Sequence, residues 1–196
     1  YPSLFLILLG CLGLVPLHQN LHAAVEGGAL VKGNTFSDDS TTIPEENSDS
    51  KAIKWSNADL DPSIFEFDAS NPTRLKIKAA GDYFLAFTGP IMEATRTADK
   101  RSQVYFSVKK NGSTSIETGI GRSTYIRHSS DHTESSGHIH ILLPSLSADD
   151  YIEIFSKAID NSTDNSVKIG TSTLFLEKIA PSRTCLLYTS PSPRDG

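Results

Sequence analysis

The stretch Ala80-Gly81-Asp82-Tyr83-Phe84-Leu85-Ala86-Phe87 decides the fold. Gly81-Asp82 is turn chemistry. Beyond it Tyr83, Leu85 and Phe87 recur at period two, the repeat of an extended strand whose side chains alternate between its faces. Phe84 places an apolar ring on the opposite face, so both faces of this strand are expected to be covered. An isolated strand cannot achieve that, and the stretch therefore reads as a strand within a two-layer β structure.

The same grammar extends in both directions. Upstream, Leu75 and Ile77 alternate with Arg74, Lys76 and Lys78, one face dry and one wet. Before them come the short apolar piece Ile64–Phe67, the turn at Asn71-Pro72, and a first strand carrying Ile53 and Trp55. Downstream, Gly89-Pro90 is expected to end the central strand, with 91–100 as a loop. Val104, Phe106 and Val108 make the next strand, and Asn111-Gly112 is the strongest hairpin signal in the chain. Residues 116–120 return, and Thr124–Arg127 is again β-prone. After a polar loop over 129–136, Ile139, Ile141 and Leu143 alternate until Pro144 stops them. Tyr151, Ile152, Ile154 and Phe155 form a buried strand, and Leu174-Phe175-Leu176 with Ile179 the last. No segment has helical periodicity. The expectation is an all-β fold, a jelly-roll β-sandwich of about eight to ten antiparallel strands.

Composition narrows the function. The 196 residues fit one domain with appendages, and 38% hydrophobic residues suffice for a core. A formal net charge of -5 argues against a nucleic-acid partner, which calls for a basic surface. The 14 residues 4–17 are almost wholly apolar, too short to span a membrane comfortably, and are followed by His22-Ala23-Ala24-Val25. Residues 1–24 thus read as a secretory signal whose basic start is missing, leaving no membrane span in the mature chain. Residues 25–50, acidic and rich in Ser and Thr, read as a flexible lead-in. The domain is expected over 51–179, and 180–196 resembles a translated sequencing adapter rather than native protein. The two cysteines, Cys11 and Cys185, fall outside that domain, so no disulfide framework is expected.

Four pieces, in this order, resemble the complement globular-head branch of the tumour necrosis factor-like superfamily: Ala80–Phe84, Val104–Gly112, Leu146–Ile154 and Thr173–Leu176. Ala148 stands where that family usually has glycine. The resemblance covers roughly 51–179. It implies a ten-stranded jelly roll that is secreted, usually a homotrimer, and binds a protein or glycan ligand rather than turning it over. No Gly-X-Y collagen repeat precedes the domain in this sequence, so stalk-linked functions do not carry over.

Candidate chemistry is sparse. His138 and His140 lie two apart on one strand and share its outer face. With His128 or His132 they form a candidate zinc site; equally, they decorate a wet face or form a pH-sensitive patch. Between 96 and 127 there are seven basic residues against the two acids Asp99 and Glu117. Of these, Arg96, Arg101, Arg122 and Arg127 are the candidate binding residues for an anionic glycan or a protein. The alternative is a solvated edge where cations deter aggregation. A monomeric carbohydrate-binding sandwich would need an exposed aromatic platform from Trp55, Tyr105 or Tyr125. A structural appendage or capsid-type jelly roll is the third reading. No nucleophile elbow, phosphate loop or His-Glu-x-x-His is present, no enzyme is expected, and no cofactor is called for. Asp149-Asp150 reads as turn chemistry. Asn111-Gly112-Ser113 and Asn161-Ser162-Thr163 match the glycosylation sequon.

Overall fold

The computed structural model describes residues 27–45, 47–95, 101–112, 114–115, 122–128, 132–158 and 166–179. The signal-like start, residues 116–121, the second sequon and the tail lie outside them. The strands in chain order begin with β1 (Gly28–Gly33), β2 (Thr35–Phe36), β3 (Lys51–Lys54), β4 (Asn57–Leu60), β5 (Phe65–Phe67), β6 (Leu75–Ile77) and β7 (Gly81–Glu93). They continue with β8 (Arg101–Lys110), β9 (Thr114–Ser115), β10 (Arg122–Arg127), β11 (Glu134–Leu146), β12 (Tyr151–Ala158), β13 (Val167–Ile169) and β14 (Ser172–Lys178).

All pairings are antiparallel and fall into two sheets, which makes the chain a jelly-roll β-sandwich. The first sheet runs β11-β7-β14-β1-β4, with β13 continuing along β7. The second runs β10-β8-β12-β3-β2, extended by β6 and β5 and by the hairpin strand β9.

The period-two residues do what their spacing predicts. Tyr83, Leu85 and Phe87 are fully buried, as are Val104, Phe106 and Val108 from the facing sheet. Phe87 and Phe106 meet across the sandwich with centroids 5.1 Å apart. The sheets come closest where the Phe106 ring rests on Gly89 and Gly137, which are cross-strand partners. A Cβ at Gly137 would stand 2.6 Å from the ring, and one at Gly89 2.7 Å. Each large apolar side chain buried in this way contributes about 1.5–3 kcal/mol.

Three expectations need correction. The segment 25–50 is not a loose lead-in over its described part. Strand β1 sits between β14 and β4, and Ala29, Val31, Phe36 and Ile43 belong to the core. Average polarity concealed these few apolar anchors. The acids Asp38 and Asp39 are bound to Lys51 and Lys54. The domain therefore begins before Lys51. Next, Gly89-Pro90 does not end the central strand, because β7 continues to Glu93. Pro90 lies where the neighbour changes from β14 to β13, and its carbonyl accepts from the Gly170 amide, so its missing N–H interrupts no ladder. Pro144 likewise does not stop β11. It introduces a register shift between Leu143 and Leu146, with Ser145 at φ 56 and the Ser145 amide donating to Asp82.

One further expectation is met only halfway. The Tyr83 face of β7 is covered by the second sheet, whereas the Phe84 face looks outward and no other described strand covers it.

Candidate binding surfaces

The outer face of the first sheet is assembled by register. Leu30, Phe175, Ala86 and His140 form one row across β1, β14, β7 and β11. Glu177, Phe84 and Leu142 form the next. Lys32, Thr173, Thr88 and His138 form a polar row beside them. Leu142 is 67% exposed, the most exposed large hydrophobic side chain among the described residues. The rings of Phe84 and His140 lie 6.3 Å apart, and His138 Nδ1 is 3.2 Å from Thr88 Oγ1. Leu142 and the half-buried Phe84 thus sit side by side as an apolar pair on this outer face.

The outer face of the second sheet has another character. Arg101 pairs directly with Arg127, Gln103 with Tyr125, and Tyr105 with both Ser123 and Lys157. Further along, Phe155 pairs with Ser107 and Glu153 with Lys109. The Lys109 ammonium lies 3.9 Å from the centre of the Phe155 ring. Tyr125 is 62% exposed and Tyr105 partly so. The one acid in this strip among the described residues, Glu153, is buried; it accepts from Thr73 Oγ1 at 2.6 Å and lies 3.7 Å from Arg74.

The four predicted arginines are thus dispersed. Arg101 and Arg127 meet as a cross-strand pair; Arg122 lies at the other end of β10, paired with Phe106; Arg96 is outside the described residues. Lys157, outside the basic window read from the sequence, joins the strip. Of the aromatic candidates, Trp55 is buried and donates to the Thr73 carbonyl, which leaves Tyr105 and Tyr125.

The predicted histidine set is not brought together. His138 and His140 are exposed on the first sheet, while His128 is buried between the sheets. Among the described residues no cluster of three metal-ligating side chains exists. Instead His128 joins a relay that spacing did not reveal: Nε2 shares a hydrogen bond with Ser102 Oγ at 2.7 Å, and Nδ1 lies 3.2 Å from both Glu93 Oε1 and the Thr95 carbonyl. The order Ser–His–Glu is that of a nucleophilic triad. Ser102 and His128 are closed to solvent, however, so no substrate reaches them, and the relay instead ties the ends of β7, β8 and β10 together. The available signal was a polar residue at the inward parity of two strands, Ser102 on β8 and His128 after β10.

Asp150 is also structural. Its carboxylate accepts from Asn111 Nδ2 at 2.8 Å and from the Ser147 amide at 2.9 Å, with Lys110 Nζ at 3.4 Å. Burial pushes its acidity down, but these donors outweigh burial and hold the carboxyl below its ordinary value. Asn111 also accepts from the Tyr151 amide, at φ 54, next to Gly112 at φ 75. The first sequon's side chain therefore clamps one turn to another.

Set beside solved structures, the chain is similar in fold to the globular domain of zebrafish complement 1qA protein (11% identity, 79% of this chain and 97% of that one, TM-score 0.49). It is also similar to murine APRIL (14% identity, 76% and 98%, TM-score 0.44) and to Eiger TNF from S. frugiperda (14%, 79% and 93%, TM-score 0.46). No family model and no curated protein matches the sequence. Among the described residues no helix is long and apolar enough to cross a membrane.

Proposed function

We propose that this chain is a secreted, non-enzymatic recognition module that assembles as a homotrimer through the outer face of its first sheet. It meets a protein or glycan ligand on the side where Arg101 and Arg127 lie; Arg96 and Arg122 belong to the same basic stretch of the sequence. The observation that carries the assembly is the Phe84 face: Leu30, Phe84, Phe175 and the 67%-exposed Leu142 stand on one surface that the described residues leave uncovered. Burial of that surface between copies removes apolar area from water and completes the two-sided coverage of β7 that its sequence calls for. The resemblance read in the four motifs implies the number three. Secretion is supported by the apolar run at 4–17.

Light scattering on the purified chain tests the assembly. A mass of three chains is expected; a mass of one chain overturns it. In that case the exposed Tyr125 favours the second reading, a monomeric carbohydrate-binding sandwich.

A further inference from the structure

The outer strip of the second sheet has a composition that a protein-binding surface does not require. Cations stand at its two ends, Arg101 with Arg127 at one and Lys109 at the other, with Lys157 between them. Aromatic rings lie along the interval: Tyr125 diagonal to Tyr105, then Phe155. From Arg101 to Lys109 the strip spans about 27 Å, at roughly 3.4 Å per residue. The surface is a sheet face, so a ligand would lie along it rather than enter it. Among the described residues, the acid within it, Glu153, is withdrawn into the contacts with Thr73 and Arg74.

From this arrangement we infer that the strip binds a sulfated polysaccharide chain, with sulfates on the cations and sugar faces on the tyrosines. The inference deepens the recognition reading above by naming the ligand class. Arginine and lysine pair with sulfate through charge-assisted hydrogen bonds. A flat, amphipathic tyrosine face offers contact area at low entropic cost. A long polyanion can engage both ends of the strip at once, so affinity rises with chain length until the strip is spanned.

The probe is heparin, with uncharged dextran and duplex DNA as controls. The expected result is heparin binding that weakens steeply with salt and no dextran binding. The double variant Arg101→Glu with Lys157→Glu should weaken binding by at least about tenfold and flatten its salt dependence, because fewer counterions are released. Lys168→Glu, the same charge change per site on the other sheet, should bind like the parent. Tyr125→Ala should weaken heparin severalfold without altering the salt slope. Heparin binding that survives the double variant overturns the assignment, as does absence of binding. Duplex DNA bound as tightly as heparin, with no effect of Tyr125→Ala, reduces the strip to a charge attractor and overturns it too. Circular dichroism of each variant establishes that it folds. The mass of the same samples reads the trimer separately: a monomer that binds heparin through this strip removes the assembly and keeps the ligand.

Discussion

The two sheets have similar inner faces and opposite outer ones. Inward, both present aliphatic and aromatic side chains at period two, Tyr83, Leu85 and Phe87 against Val104, Phe106 and Val108. Outward, the first sheet presents Leu30, Phe84, Phe175 and Leu142, and the second presents Arg101, Arg127, Lys157 and two tyrosines. Inner parity makes a fold; outer parity decides what the fold meets. An apolar outer face asks for another protein surface, whereas a cationic one keeps its water and exchanges it for an anion.

The strongest way to break the comparison is to remove both faces together. Gly137 lies under the Phe106 ring, where the sheets are closest, and a Cβ there has 2.6 Å of room. Gly137→Val must push the ring, and with it β8, away from β7. Overpacking of a closed core costs about 1–3 kcal/mol and occasionally more. Its cross-strand partner Gly89 lies against the same ring and leaves it no room to slide along the sheet, so the expected loss is about 3 kcal/mol or above. The urea midpoint should fall sharply, and assembly and heparin binding should be lost together at a lower urea concentration than in the parent. A variant with the parent's midpoint would show that the close approach of the sheets does not depend on a glycine at 137.

A smaller effect falls on the second sheet alone. Asp150 clamps the turn before β12 to the turn after β8, at the Lys109 end of the strip. Asp150→Ala leaves the Asn111 amide and the Ser147 N–H without their acceptor, a loss of about 1–3 kcal/mol. The pH dependence has a definite sign. The folded carboxyl titrates below its ordinary value, so its contribution is fully present above about pH 4, where the unfolded group is ionised. It is lost as pH falls through the lower folded value. Urea titrations at neutral and strongly acid pH should therefore show a larger acid loss for the parent than for Asp150→Ala. Equal losses would assign the acid sensitivity elsewhere, for instance to Asp61 and Asp68, whose carboxyls are lowered by Ser63 and Asn71.

How much of this was legible in the sequence follows from what period two can and cannot encode. It assigns parity, so the core residues of β6, β7, β8 and β11 were readable before the fold was known. It does not assign register. Arg101 and Arg127, 26 residues apart, are direct partners, while Arg122, closer to Arg101 in the chain, pairs elsewhere. Ser102, His128 and Glu93 meet for the same reason. The prolines misled because a strand tolerates proline wherever its ladder is already interrupted, and those interruptions belong to the neighbouring strands. The segment 25–50 misled because four buried side chains anchor it within a polar background.

The smallest effect on the fold sharpens the comparison most. Leu142 is 67% exposed, opposite Phe84 on the edge strand β11, so replacing it removes little burial within the chain. Leu142→Asp should leave the urea midpoint within about 0.5 kcal/mol of the parent, as surface substitutions do. At an interface between copies the same change places a carboxylate against apolar side chains, where an unpaired charge is costly. Light scattering should therefore show single chains, with heparin retention set by the second sheet and reduced only by the lost multivalency. If the mass of Leu142→Asp matched an assembled parent, the Phe84 face would not be the contact. The uncovered side of β7 would then need a different occupant.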